Sequence, residues 1–250
     1  HSVRVLDDMV NWNISLQTLD GILCHNGELE LKEYRPCEMS TFVEYDKKVE
    51  ACYVDEKAIG ELIPCTLEGC VMRICDIIAY LGKDRQDAMR LNLLKESPFS
   101  TSNGEIINNF SVNIIENSYG KDYLKMDEEY FDALRQAKKE NYEMIYNNKS
   151  LNDLYENEIR PMFGELYEKL LRQAESGDKS SVFYRHHMAY MEKNNFYVKS
   201  HVRKPYAEQE KNQLVVDYLA SMTDDYFIAL YHYLFPKGKH DVKFVGYFDL

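Results

Sequence analysis

The chain has 250 residues, 45% of them hydrophobic and 29% charged, with 42 acidic against 30 basic side chains and a net charge of -12. That is the balance of a globular protein, and the acidic excess argues against a broad nucleic-acid surface, which needs clustered Lys and Arg to displace counterions. No apolar run approaches the roughly 20 residues that span a bilayer and no signal-peptide pattern opens the chain, so a cytoplasmic protein with no membrane partner is expected. Helical periodicity then predicts one mainly α domain over residues 1–250. Amphipathic segments run over 3–12 and 15–24. Residues 26–64, with Pro36, Pro64 and many charges, read as loop with short helical pieces.

Thr66 is placed to N-cap the next helix, and Glu68 sits near the positive end of its dipole. At about 100° per residue, Leu67, Cys70, Val71, Ile74, Ile77, Ile78 and Leu81 gather on one broad face. Arg73, Asp76, Tyr80, Asp84 and Asp87 form a stripe beside it, at the edge of the core. Two readings fit this stripe. Asp76 can pair with Arg73 at the i, i+3 spacing, with Asp84 and Asp87 solvated. Alternatively the stripe floors a cleft, because a carboxylate desolvated without a partner is costly and so binds a metal or a substrate group.

Beyond the loop "KESPFSTSNG", a short helix is expected over 106–115. Asp127 should cap a long one through about Tyr146, with Phe131, Leu134, Tyr142 and Ile145 inward. Ser150 should cap another, kinked or restarted at Pro161. "SGDKS" marks a turn, followed by a helix over 182–193 and a last helix over 207–235. The tail "VKFVGYFDL" has β character. Tyr130, Tyr142, Tyr146 and Tyr155, at helical spacing, read as core and interface.

The six cysteines, Cys24, Cys37, Cys52, Cys65, Cys70 and Cys75, form no C-x-x-C pair and read as reduced, mostly buried thiols. His186 and His187 are adjacent, so on a helix they diverge by about 100° and do not share one metal. "YVKSHVRKPY", with Lys199, His201, Arg203 and Lys204, is the most basic stretch and reads either as a solvated loop or as an anchor for a triphosphate. His240-Asp241 is the only His-Asp dipeptide and reads as a solvated turn. There is no P-loop and no G-x-G-x-x-G.

Three tracts in order carry a family resemblance: "SLQTLDGILCHNGE", "TLEGCVMRICDIIAYLGKDRQDA" and "VVDYLASMTDDYFIALYHYLF". Together they resemble the dGTPase-like deoxynucleoside triphosphate triphosphohydrolases of the HD superfamily. The resemblance implies an all-α, HD-domain-like helical bundle with additional C-terminal helices and a short β-like tail. It implies hydrolysis of a dNTP, dGTP among them, to deoxynucleoside and triphosphate, with a divalent metal ion (Mg, Mn, Fe, Co or Zn). By the same resemblance Asp76 is the last metal ligand, Tyr80 disfavours a 2′-hydroxyl, and Asp84 accepts from the sugar 3′-hydroxyl. His25 matches a family His at the cleft, and Arg203 and Lys204 are candidates for the triphosphate. A homo-oligomer is implied, with nucleic acid entering only as a regulator. "SVRVL" matches the tract after the family's catalytic His-Asp dipeptide, so the other metal ligands and the catalytic pair are expected upstream, and this chain alone is expected to be inactive. The alternative is a catalytically degenerate helical module that binds nucleotides or partner subunits.

Overall fold

The computed structural model describes residues 1–10, 12–25, 30–93, 102–194 and 205–242. Among the described residues the fold is all-α with one two-stranded ladder. The chain divides into two compact units: unit 1 comprises His1–Asn13 and Lys149–Leu250, and unit 2 comprises Ile14–Asn148. The β-like tail lies almost wholly outside the described residues.

Helix α1 (Ser2–Arg4) runs straight into a π turn, Val5–Met9, which buries Met9. Unit 2 then begins with α2 (Leu16–Cys24), whose Ser15 cap accepts from the Thr18 N–H at 3.3 Å. Strand β1 (Glu33–Tyr34) follows. The region expected to be loop with short helical pieces holds the short α4 (Glu56–Gly60) and, longer than expected, α3 (Phe42–Val54). The reason is visible at the start of α3. Thr41 accepts from the Glu44 N–H while Glu44 reaches back to the Thr41 N–H, a reciprocal capping box that satisfies two orphan donors. The only buried residue of α3 is Tyr45, so the helix shows almost no apolar stripe.

The central element of unit 2 is α5 (Leu67–Arg90), with the expected Thr66 cap accepting from Gly69 N–H at 3.0 Å. Cys70, Ile74, Ile77, Ile78 and Leu81 are buried as their spacing demands; Val71 is not. Arg73, expected in the polar stripe, is instead a core residue. Its guanidinium donates to the Leu62 carbonyl and lies over the Tyr34 ring at 6.0 Å. Gly69 is required where α5 starts, because a Cβ there would stand 2.6 Å from Pro64 Cβ. Next come α6 (Asn103–Ser118), opened by a Ser102/Glu105 capping box, strand β2 (Leu124–Lys125), antiparallel to β1, and α7 (Glu128–Asn141). Asp127 does not cap α7 with its side chain. It accepts from Asn113 Nδ2 at 2.8 Å, and its own N–H donates to Asn113 Oδ1 at 3.0 Å. A π turn, Tyr142–Tyr146, ends the long segment.

Back in unit 1, α8 (Lys149–Leu154) starts one residue before its expected cap and passes into a π turn, Tyr155–Ile159. Helix α9 (Arg160–Ser176) follows without a break, since Ile159 and Arg160 keep helical dihedrals, and Pro161, which has no N–H to give, falls directly after the wider π turn. Gly177 ends it in the left-handed region, φ 65°. A π turn, Tyr184–Met188, leads into α10 (Ala189–Asn194). The single last helix expected over 207–235 is two helices, α11 (Lys211–Ala220) and α12 (Asp224–Leu234). Thr223 breaks it by accepting from the Tyr226 N–H at 3.3 Å as an N-cap.

Two polar networks hold these units. In unit 2, Asp20 is fully buried and accepts from Lys48 Nζ at 2.6 Å, the Cys65 N–H at 2.6 Å and Cys24 Sγ at 3.5 Å. Burial opposes the Lys48 charge, but the bonds to Asp20 and Cys24 outweigh it and raise its pKa. In unit 1, Asp217 is fully buried and takes a bidentate Arg4 guanidinium at 3.0 and 2.7 Å, the Tyr206 hydroxyl at 3.3 Å and Gln213 Nε2 at 3.0 Å. A buried carboxylate survives only with such complete pairing. All six cysteines are free, as expected, but only Cys24 and Cys70 are buried and Cys75 is exposed.

Candidate functional site

The stripe on α5 is the first place to look for chemistry. Asp76 is exposed and has no hydrogen-bond or ion-pair partner among the described residues, so the expected Arg73–Asp76 pair is not formed. One turn on, Tyr80 packs its ring against the buried cluster of Ile74, Ile77, Ile78 and Leu81. A further turn on, Asp84 is half-buried and accepts a hydrogen bond from the Tyr146 hydroxyl. Burial, and then the Asp84 carboxylate it faces and Tyr80 nearby, push the Tyr146 phenol well above its ordinary range. Asp87, the last of the stripe, pairs with Lys83 Nζ at 3.0 Å on the helix surface.

The π turn explains how Tyr146 gets there. A π turn widens the helix by one residue per turn and re-aims the side chains that follow. Tyr142 and Tyr146 then lie 6.1 Å apart, both largely exposed at 60% and 49%. Tyr155 is likewise exposed, so three of the four tyrosines expected in core and interface stand at the surface of this chain. Tyr130 does meet the core, edge-on to Phe110 at 5.6 Å. Nothing in residue spacing pointed to Tyr146 as the partner of Asp84; an insertion of one residue in a helical register has no composition signal.

His25 ends α2, partly buried, and its Nδ1–H donates to the Ile22 carbonyl at 2.5 Å, which leaves Nε2 as the open ring nitrogen. Arg203 and Lys204, with Lys199 and His201, lie outside the described residues. In unit 1, His186 and His187 diverge as expected. His186 is exposed, while His187 is buried, stacked on Tyr218 at 4.8 Å, with its pKa pushed down to about 4 by burial against the pull of Asp217. Of the His240-Asp241 pair, Asp241 is solvent-exposed as expected and His240 is mostly covered. His240 Nδ1 lies 3.1 Å from Glu158, and Asp241 Oδ1 lies 3.2 Å from His232 Nε2.

On α5, Asp76 and Glu68 are exposed carboxylates with no hydrogen-bond or ion-pair partner among the described residues. Among the described residues no group of three or more His, Cys, Asp or Glu side chains could hold a metal ion. Asp76 would supply one ligand of such a centre, and the described residues do not complete it. No described helix is long and apolar enough to cross a membrane.

Residues 160–233 match the phosphohydrolase-associated domain family, so α9 to α12 have the sequence character of a segment that accompanies phosphohydrolases. Over 181 residues the chain is 28% identical to a deoxyguanosinetriphosphate triphosphohydrolase-like protein of Caldanaerobacter subterraneus subsp. tengcongensis, covering 69% of this chain and 47% of that protein. Over 196 residues it is 24% identical to a protein of the same name from Desulfatibacillum aliphaticivorans, covering 72% of this chain and 52% of that one. These matches agree with the resemblance to dGTPase-like proteins that the three sequence tracts carry. It spans about half the length of the curated relatives it matches. No solved structure is a significant match.

Proposed function

We propose that the full-length protein hydrolyses a deoxynucleoside triphosphate to deoxynucleoside and triphosphate, and that α5 carries the sugar end of its site. The observation that carries this reading is the line Asp76, Tyr80, Asp84: an open carboxylate, a core-packed ring and a hydroxyl-bonded carboxylate at successive turns of one helix. Successive turns are about 5.4 to 6 Å apart, a spacing that sets a phosphate-side group and a sugar-side group at a fixed separation. Tyr80 is braced by the core, so its ring can reject a 2′-hydroxyl without yielding. Asp84 already accepts a hydrogen bond from the Tyr146 hydroxyl, and the same carboxylate is suited to accept one from the sugar 3′-hydroxyl.

In this reading Asp76 donates one carboxylate oxygen to a divalent ion whose other ligands come from outside the described residues. Such an ion, when bound, supplies Lewis-acid polarisation of phosphate and activation of water. Fixing the sugar beside it lowers the entropic barrier to attack. The base, the identity of the metal and a homo-oligomeric state belong to the same proposal.

A second reading, a nucleotide-binding helical module without catalysis, is favoured by one observation, the lack of a metal-ligand cluster among the described residues. Steady-state assays on the full-length protein separate the two. The enzyme reading expects triphosphate release that is abolished in Asp76→Ala together with stoichiometric metal. It also expects Tyr80→Ala to narrow the preference for dGTP over GTP by about tenfold, a transition-state difference near 1.4 kcal/mol. Unchanged release and unchanged metal content in Asp76→Ala would overturn the ligand assignment.

A further inference from the structure

Unit 1 contains a cleft of about 240 Å³ lined by Val182, Arg185, His186, Tyr226, Ala229, Leu230 and Tyr233. All of these residues fall inside the segment that matches the phosphohydrolase-associated domain, and none belongs to the α5 site. We propose that this cleft binds a small organic anion: a phosphate monoester or carboxylate carrying one flat apolar ring.

The charge comes from Arg185. In a chain of net charge -12, Arg4, Arg35, Arg85, Arg160 and Arg172 each sit against a carboxylate. The Arg185 guanidinium is exposed at the cleft and has no hydrogen-bond or ion-pair partner among the described residues. A planar fork of N–H donors left open is matched by a carboxylate or phosphate head, which it can grip at two oxygens.

His186 supplies the second donor, and its ring is held in place. Its Nδ1 lies 2.8 Å from the Tyr226 hydroxyl, which in turn lies 2.6 Å from the Tyr218 hydroxyl. With Nδ1 committed, Nε2 is the nitrogen left for a ligand. The π turn Tyr184–Met188 accounts for the pairing, since it brings Arg185 and His186 to one cleft while His187 turns into the core. π turns interrupt helices frequently where ligands bind.

The walls set the rest of the ligand. Val182, Ala229 and Leu230 are aliphatic, and Tyr226 and Tyr233 present rings, so the body of the ligand is apolar and flat enough to lie between them. The volume sets an upper limit. It falls below the roughly 300–1,000 Å³ of pockets for drug-sized ligands, a size that suits a single ring with its anionic head. The site is therefore distinct in chemistry from the deoxynucleotide reading of α5 and does not depend on it.

Phenyl phosphate and benzoate are the probes, titrated calorimetrically into the 250-residue chain. Inorganic phosphate tests the head alone and benzyl alcohol the ring alone. Saturable binding of phenyl phosphate or benzoate is expected with a Kd on the order of 0.1–1 mM, as befits so small a ligand; which of the two binds more tightly distinguishes the phosphate head from the carboxylate. Arg185→Gln should weaken that binding about tenfold and Tyr226→Phe, which unseats His186 but keeps the ring, about threefold. Both substitutions are to be checked by urea unfolding, and neither side chain is a buried charge whose loss collapses the core. No saturable binding of either anion up to about 10 mM overturns the proposal. So does equal affinity in Arg185→Gln, or equal affinity for inorganic phosphate and phenyl phosphate.

Discussion

Replacing His187 with Phe tests how unit 1 answers to acid. His187 is 2% exposed, its ring is stacked on Tyr218, and its Nε2 lies 2.8 Å from the Tyr206 hydroxyl. Burial holds its pKa at about 4, whereas the unfolded chain takes up the same proton near the ordinary value of 6.5. Protonation therefore favours the unfolded state. The stability associated with the neutral ring is complete above about pH 6.5 and is lost progressively as pH falls toward 4. At about 1.4 kcal/mol per pH unit, the loss between pH 7.5 and pH 5 comes to roughly 2 kcal/mol. Phe preserves the stacked ring and does not titrate. The stability difference between wild type and His187→Phe should thus shift by about 2 kcal/mol in favour of the variant over that interval. Trp12 is the only tryptophan and belongs to unit 1, so urea unfolding followed by its fluorescence reads this unit. A difference that stays constant to within about 0.5 kcal/mol from pH 7.5 to pH 5 refutes the reasoning.

Three further outcomes follow from particular contacts. Lys48→Met strands the Asp20 carboxylate in the core of unit 2 and should cost about 3–5 kcal/mol, whereas the double variant Asp20→Leu, Lys48→Met should recover much of that loss; thermal unfolding by circular dichroism compares them. Gly69→Ala places a methyl 2.6 Å from the rigid Pro64 ring, so chemical denaturation should show a loss of about 1–3 kcal/mol, and a neutral result would mean that the start of α5 gives way easily. Tyr146→Phe removes the hydroxyl that holds Asp84; in the full-length protein KM for a dNTP should rise about threefold to tenfold with kcat little changed, and an unaltered KM would show that Asp84 needs no such support.

The helices that the sequence announced were those with a strong one-sided apolar pattern. Cys70, Ile74, Ile77, Ile78 and Leu81 recur at helical spacing, and α5 formed where they predicted it. Helix α3 was read only as a short helical piece because its stability begins with the Thr41/Glu44 box and not with a stripe, although T-x-x-E stands in the sequence as a cap signature. The break between α11 and α12 likewise had a local sign, Thr223 followed by Asp224 and Asp225, overruled by the continuous apolar run on both sides. Arg73 went astray for a different reason. A guanidinium is placed by default in solvent, and only tertiary structure reveals that the Leu62 carbonyl and the Tyr34 ring receive it. At the proposed site, the four-residue spacing of Asp76, Tyr80 and Asp84 marked a stripe on α5, and the family resemblance alone gave that stripe a role. Tyr146 was not legible, since its approach to Asp84 depends on a π turn that no residue type marks.

The claim that α5 holds the sugar of a deoxynucleotide rests most directly on Asp84. In the full-length protein, kcat/KM for dGTP and for 2′,3′-dideoxyGTP should be measured in wild type and in Asp84→Ala. Loss of a charge-assisted hydrogen bond to the 3′-hydroxyl predicts a fall of roughly tenfold or more for dGTP and little change for the dideoxy analogue, which never made that bond. Equal losses for the two substrates, or no loss for either, would contradict the assignment.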